Sequence, residues 1–292
     1  MKAQLNQNSS AQQAGEIALF RSMLNILNGN GNKTVFCEET HRHLVSFFDS
    51  HFRTVSCEIS DLLLISLDEK TLNARISFLQ AKRKMGCILA PNYQFDADFR
   101  QLYLLTQRPY ISSKEFPLNI LRFSTAKSLT TYGVFYNDAN GVDFFYTAAG
   151  CLQKKSVSNI RGAVVQQPSY QLQLPLMDYY NFGGQRYDEM IVIDGADAFE
   201  NSLIAWEIGA VLPPTMGHLL RYVFNVVLSR LRNKLSVSAA DDIDDVRVSI
   251  SNLESLAEEF RIGPVFDSPW FAESSHLPSI AIVQCDSERS MD

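Results

Sequence analysis

Residues 61–84, "DLLLISLDEKTLNARISFLQAKRK", constrain the fold of this chain more than any other stretch. "DLLLISL" is almost wholly apolar, the pattern of a strand buried on both faces in the middle of a sheet. "ARISFLQA" alternates Ile76, Phe78 and Gln80 with Ser77 and Leu79, which is the period of a strand. The connector "DEKTLN", residues 68–73, is polar and short, so the two strands are expected to pair as an antiparallel hairpin. Closed symmetrically, that hairpin sets Leu67 against Ala74 and, at its far end, Asp61 against Gln80. Directly opposed residues carry Cβ atoms about 4.5–5.5 Å apart. Lys82, two residues on, shares the face of Gln80. A slip of one residue would turn one partner to the other face and scatter the group.

A carboxylate, an amide carbonyl and an ammonium at one end of a hairpin have a chemical use. Mg²⁺ prefers hard oxygen ligands and keeps several of its waters. One carboxylate and one carbonyl oxygen can hold it beside a phosphate, where it polarises the phosphoryl oxygen and acidifies a bound water. A lysine within reach can orient that water or stabilise the charge that develops at phosphorus.

The segment "EISDLLLISL…ARISFLQAK" resembles the core of the PD-(D/E)xK, or restriction-endonuclease-like, nuclease superfamily. In that family an Asp opens one strand and an acid-x-Lys follows on the next; the matching positions are Asp61, Gln80 and Lys82. The resemblance covers roughly residues 15–110. It implies an α/β fold whose core is a mixed central sheet flanked by helices, in the order helix, three strands, helix, strand. It also implies hydrolysis of phosphodiester bonds with Mg²⁺ or Mn²⁺, DNA as the expected substrate, and defence against foreign DNA as a fitting role. Asp61 and Gln80 would hold the metal, and Lys82 would act on the water or the transition state. The sequence departs from the family pattern twice. Gln80 stands where an Asp or Glu is usual, and Ser60 stands where the pattern has Pro. A neutral residue at 80 removes one negative charge from the metal site. Further acids that would compensate are Glu58, which an ideal strand points to the opposite face, and Glu16 and Glu39 on the two preceding helices. Arg83 and Lys84 would meet the nucleic-acid backbone. The rival reading is an inactive nuclease fold serving as an interaction or nucleic-acid-binding subunit of a larger complex. Gln80 and the net charge of −6 favour it. A homodimer, or a partner protein in a defence complex, accords with either reading.

Elsewhere the pattern predicts a loose polar arm over residues 1–14, then a helix in "GEIALFRSMLNILNGNGN" and a second helix in "CEETHRHLVSFFDSHF". "ADFRQLYLLTQR" reads as a helix, and "TTYGVFYNDANGVDFFYTAAG" as a hairpin around a strong turn signal. "EMIVIDGADAF" reads as strand then turn, "MGHLLRYVFNVVLSRLRNKL" as the longest helix, "SAADDIDDV" as a linker, "ISNLESLAEEFRI" as an amphipathic helix and "SIAIVQ" as a final strand. Residues 111–292 are expected to form an α/β extension packed on the core, or continuous with it, with no recognisable chemistry of their own.

Composition narrows the classes. With 46% apolar and 20% charged residues, the chain is expected to fold rather than stay disordered. At a net charge of −6, nucleic-acid binding must rely on a local basic patch. No apolar run approaches the roughly 18 residues of a membrane span, and the polar N-terminus has no apolar leader, so no membrane partner is expected. Five scattered cysteines suit reduced thiols in a cytoplasm. Cys37 and His41 have a zinc-compatible spacing but no finger cadence follows. "IDGADAFE" lacks calcium-loop spacing, "GGQRYDE" lacks a phosphate-loop lysine, and no GxSxG occurs.

Overall fold

The apolar run and its partner fold as the hairpin the sequence predicts. In a computed structural model, which describes residues 1–7, 14–39, 44–84, 94–114, 116–154, 169–173, 192–237, 243–263 and 277–286, β4 spans Leu62–Asp68 and β5 spans Ala74–Lys84. Leu67 faces Ala74 and Leu62 faces Leu79, the register of the symmetric closure. Asp68 ties the turn: its Oδ2 accepts from the Thr71 amide at 3.1 Å and from Thr71 Oγ1 at 2.6 Å.

Every residue of β4 is buried, because strands lie on both its sides and helices over both its faces. On the side away from β5 it pairs in parallel with β13 (Ser279–Cys285). β1 (Thr34–Cys37) then pairs antiparallel with β13. Beyond β5 comes β7 (Thr130–Asp138), parallel to it, which turns back into β8 (Gly141–Ala148). β11 (Val192–Asp194) ends that edge, and the short β12 (Ala210–Val211) pairs with the start of β5. The result is a mixed eight-stranded sheet of order β1-β13-β4-β5-β7-β8-β11 with β12 off the path.

Alternation along the strands feeds two cores. Leu63, Ile65, Ile76 and Phe78 pack with Val223, Phe224 and Val227 of a long helix and Leu253 of the next. Leu62, Leu64, Leu79 and Ala81 pack on the other side with Phe20, Leu24, Phe199 and Leu203. The helices in chain order are α1 (Lys2–Gln7), α2 (Glu16–Gly29), α3 (Phe99–Gln107), α4 (Ala196–Ile204), α5 (Gly217–Val237) and α6 (Ile243–Glu259). Thus α2 and α4 cover one face and α5 and α6 the other. No helix among the described residues is long and apolar enough to cross a membrane.

Three expectations need correction. The second helix is instead a strand: β2 (Leu44–Phe48) pairs with β3 (Thr54–Glu58). Within "LVSFF", Val45 and Phe47 are buried while Leu44 and Phe48 are exposed, so the period is two. Asp49 closes the tip by accepting from the amides of His51 at 2.8 Å and Arg53 at 3.0 Å. Residues 2–7 are not a loose arm, because Leu5 is buried and Lys2 Nζ pairs with Asp138 and, at 2.6 Å, with Asp143. Asn6 extends this docking, accepting from Val142 N at 2.6 Å and donating to Val142 O at 2.8 Å. The turn at "IDGADAF" launches α4: Gly195, at φ 103°, takes a backbone angle suited to glycine, and Asp143 Oδ1 accepts from Ala196 N at 2.7 Å. Residues beyond 110 continue the core sheet, since β7, β8, β11 and β13 share it with β4 and β5. Residues 238–242 of the expected linker and "GGQRYDE" lie outside the described residues, and Ile243 already belongs to α6.

Candidate active site

Asp61 immediately precedes β4, and the register of Leu62 with Leu79 carries on to bring it against Gln80. The two side chains touch: Gln80 Nε2 donates to Asp61 Oδ2, and the Ala81 amide donates to the same oxygen at 2.8 Å. They therefore lie on one face of the sheet. On β7, Tyr132 pairs with Gln80 and Val134 with Lys82, so Tyr132 and Lys82 share that face. The Tyr132 ring is fully buried and packs 5.4 Å from the Phe95 ring. Phe95 belongs to β6 (Phe95–Asp98), whose last residue caps α3 by accepting from the Arg100 amide at 2.7 Å.

Burial dominates the electrostatics of Asp61 and pushes its carboxyl up to about 6. The positive charge of Lys82 and the Ala81 amide pull the other way, and Glu58 and Glu16 push it further up. Two of the three additional acids therefore act on the site. The third does not: Glu39 forms an ion pair with Arg230 at 2.8 Å, and its amide donates to Ser279 Oγ. Glu58, the last residue of β3, lines a pocket of ≈ 350 Å³ together with Cys57, Asp98 and Arg100. Burial holds the Cys57 thiol up at about 12, so it is a protonated wall there and not a nucleophile.

The sequence suggests a solvent-near strand end; the structure gives a recessed one. Gln80 is 1% exposed. Arg83 and Lys84, expected to track a phosphate backbone, are half-buried. Arg83 pairs with Phe135, so it faces away from Gln80, and its Nη2 donates to Asn137 Oδ1 at 2.9 Å. Lys84 Nζ donates to the Gln94 carbonyl. The basic run thus braces the sheet. Two more distant cations are paired as well: Arg230 donates to the Leu277 carbonyl at 2.9 Å, and Arg232 pairs with Glu254 at 3.1 Å. Cys37 is buried, and His41 and His43 lie outside the described residues.

Among the described residues, no group of three or more His, Cys, Asp or Glu side chains could hold a metal ion. The donors that are present are the Asp61 carboxylate and the Gln80 carbonyl. Among the described residues Gln80 Oε1 is buried without a hydrogen-bond partner. An unspent hard oxygen beside a buried carboxylate fits a small hard cation that keeps most of its waters. Sequence reasoning missed Tyr132, which reaches this place only through the parallel pairing of β5 with β7. Comparisons of the chain with family models, with curated proteins and with solved structures found no match.

Proposed function

We propose that the chain is a metal-dependent phosphodiesterase acting on nucleic acid, with DNA as the first substrate to test. The observation that carries this reading is the contact of Asp61 with Gln80, with Lys82 on the same face. The order of β4, β5, α3 and β7, with β7 parallel to β5, supports it. When bound, Mg²⁺ or Mn²⁺ supplies Lewis acidity at the phosphate and a more acidic water. Asp61 and Gln80 would hold it through the carboxylate and Oε1. Lys82 places its charge where negative charge grows in the transition state. Glu58 and Glu16 add negative potential without touching the reacting atoms. A cytoplasmic role in defence against foreign DNA, alone, as a homodimer or within a complex, goes with this reading.

The test is metal-dependent cleavage of DNA and RNA by four proteins side by side. Asp61→Ala should abolish cleavage. Lys82→Ala should keep metal binding and lose about 10²–10³-fold in rate, the usual cost of one transition-state charge contact. Gln80→Glu should stay active, since it restores the acid usual at that place. An Asp61→Ala protein as active as its parent would end the assignment.

One observation favours a second reading. The Gln80 amide already satisfies Asp61 Oδ2, so that carboxylate oxygen needs no cation, as an inactive interaction or nucleic-acid-binding subunit would require. That reading predicts no cleavage by any of the four proteins, under any metal.

A further inference from the structure

Buried polar atoms are normally hydrogen-bonded, and each exception in a folded protein needs a reason. Three side-chain oxygens without a partner among the described residues belong to residues next to Asp61 or to its partner Gln80: Ser60 Oγ, Gln80 Oε1 and the Tyr132 hydroxyl. Ser60 adjoins Asp61 in the chain, Gln80 touches Asp61, and Tyr132 stands directly beside Gln80 on the neighbouring strand. These side chains are 4%, 1% and 0% exposed, respectively. Other polar side chains on these two strands are bonded. Thr130 Oγ1, two residues before Tyr132, donates to the Leu105 carbonyl at 2.8 Å, and Ser77 Oγ, three before Gln80, donates to the Ser128 carbonyl at 2.8 Å.

An unmet buried hydroxyl is costly, and phenylalanine would fill the same space without that cost. Tyr132 keeps its hydroxyl in a wall that is otherwise apolar, made of Phe95, Leu102, Leu105 and Val134. Burial, the main cause, drives its acidity far down, so the hydroxyl stays protonated. A neutral hydroxyl both donates and accepts, which suits it to hold a water and not to ligate a metal directly.

We propose that Tyr132 is a positioning residue of the Asp61–Gln80 site, its hydroxyl holding a water of a bound divalent cation. This rests on the site reading given above and extends it to β7. Groups that fix the waters and ligands of a metal from its second layer typically matter 10–100-fold in affinity. Gln80 Oε1 would then meet the cation and Tyr132 its water, so that both strands flanking Asp61's contact have a role in one site.

The experiment is calorimetric titration of the full chain with Mg²⁺ alone, without substrate, and with Ca²⁺ as a second probe. Parent, Tyr132→Phe and Asp61→Ala are compared, with urea denaturation of each in EDTA. The proposal expects Tyr132→Phe to be at least as stable as the parent without metal and to bind Mg²⁺ about 10–100-fold more weakly. Unchanged Mg²⁺ affinity in Tyr132→Phe overturns it. If Asp61→Ala loses binding while Tyr132→Phe does not, the site stands and the role of Tyr132 falls. If the parent itself binds no Mg²⁺ at millimolar concentration, site and proposal fall together.

Discussion

Asp61→Asn should make the metal-free protein more stable, and only above a definite pH. The Asp61 carboxyl is raised from 3.8 to about 6, chiefly by burial. Between those values the folded chain holds a proton that the unfolded chain has already released. Stability contributed by this group therefore falls as pH rises through the window and stays reduced above it. A shift of about 2 units at about 1.4 kcal/mol per unit puts the full penalty near 3 kcal/mol; partial exposure of Asp61 makes that a ceiling. Asparagine cannot ionise, yet its carbonyl can still accept from Ala81 N and Gln80 Nε2. The variant should thus match the parent near pH 4 and exceed it by about 2–3 kcal/mol at pH 8. With a urea m-value of about 3 kcal/mol/M for a chain of this size, the midpoint should move by nearly 1 M. The assay is urea denaturation in EDTA at half-unit steps from pH 4 to 8. A gain that is the same at pH 4.5 and pH 8, or a variant less stable than the parent at pH 8, would refute the reasoning. Added Mg²⁺ should then close most of the gap, because only the parent gains RT ln(1 + [L]/Kd), about 2.7 kcal/mol at a hundredfold excess over Kd.

Further outcomes follow from other parts of the molecule. Cleavage, if the proposed activity holds, should rise about tenfold per pH unit below pH 6 and level off above it as Asp61 ionises; a rate flat from pH 5 to 8 counts against Asp61 as the ligand. Gly133→Ala should cost about 1–3 kcal/mol in urea denaturation, because a Cβ there would sit 2.7 Å from Phe144 Cζ and 3.1 Å from Leu79 Cδ2 in a packed core. No change in midpoint would mean that Phe144 swings aside freely. Lys2→Met should destabilise by about 1–3 kcal/mol, since it strips Asp138 and the nearly buried Asp143 of their shared cation while keeping the apolar stem. Unaltered stability, together with unaltered protease resistance near residue 7, would show that α1 docks through Leu5 alone.

The central hairpin was legible because everything that fixes it is local: an apolar run, a short polar connector and an alternating partner. The Asp61–Gln80 contact came with the register. "HLVSFFDSHF" misled because Leu44, Val45 and Phe48 also have the spacing of a helix face, and only burial of Val45 and Phe47 against exposure of Leu44 and Phe48 shows the strand. The depth of Gln80 was hidden for a different reason. It is set by the neighbouring β7 and by what packs over that strand, and no periodicity within residues 74–84 encodes a neighbour fifty residues away. Charge was misleading in the same way. "KRK" reads as a basic surface until partners as distant as Asn137 take up its donors.

The placement of β13 has a consequence for the birth of the protein. This strand is one of the last described segments of the chain, yet it sits between β1 and β4, one strand in from the edge of the sheet. While a ribosome is still making residues before 279, β4 has no partner on that side, and its backbone groups face open along "LLLIS". Such an edge is a template for pairing with other chains, and the nascent protein would depend on chaperone shielding until β13 emerges. Truncated products ending before residue 279 are therefore expected to aggregate or be degraded rather than persist as free N-terminal fragments. The Asp61–Gln80 pair acquires its rigid support only once β13 has been made, which keeps any chemistry it performs out of chains that lack that strand.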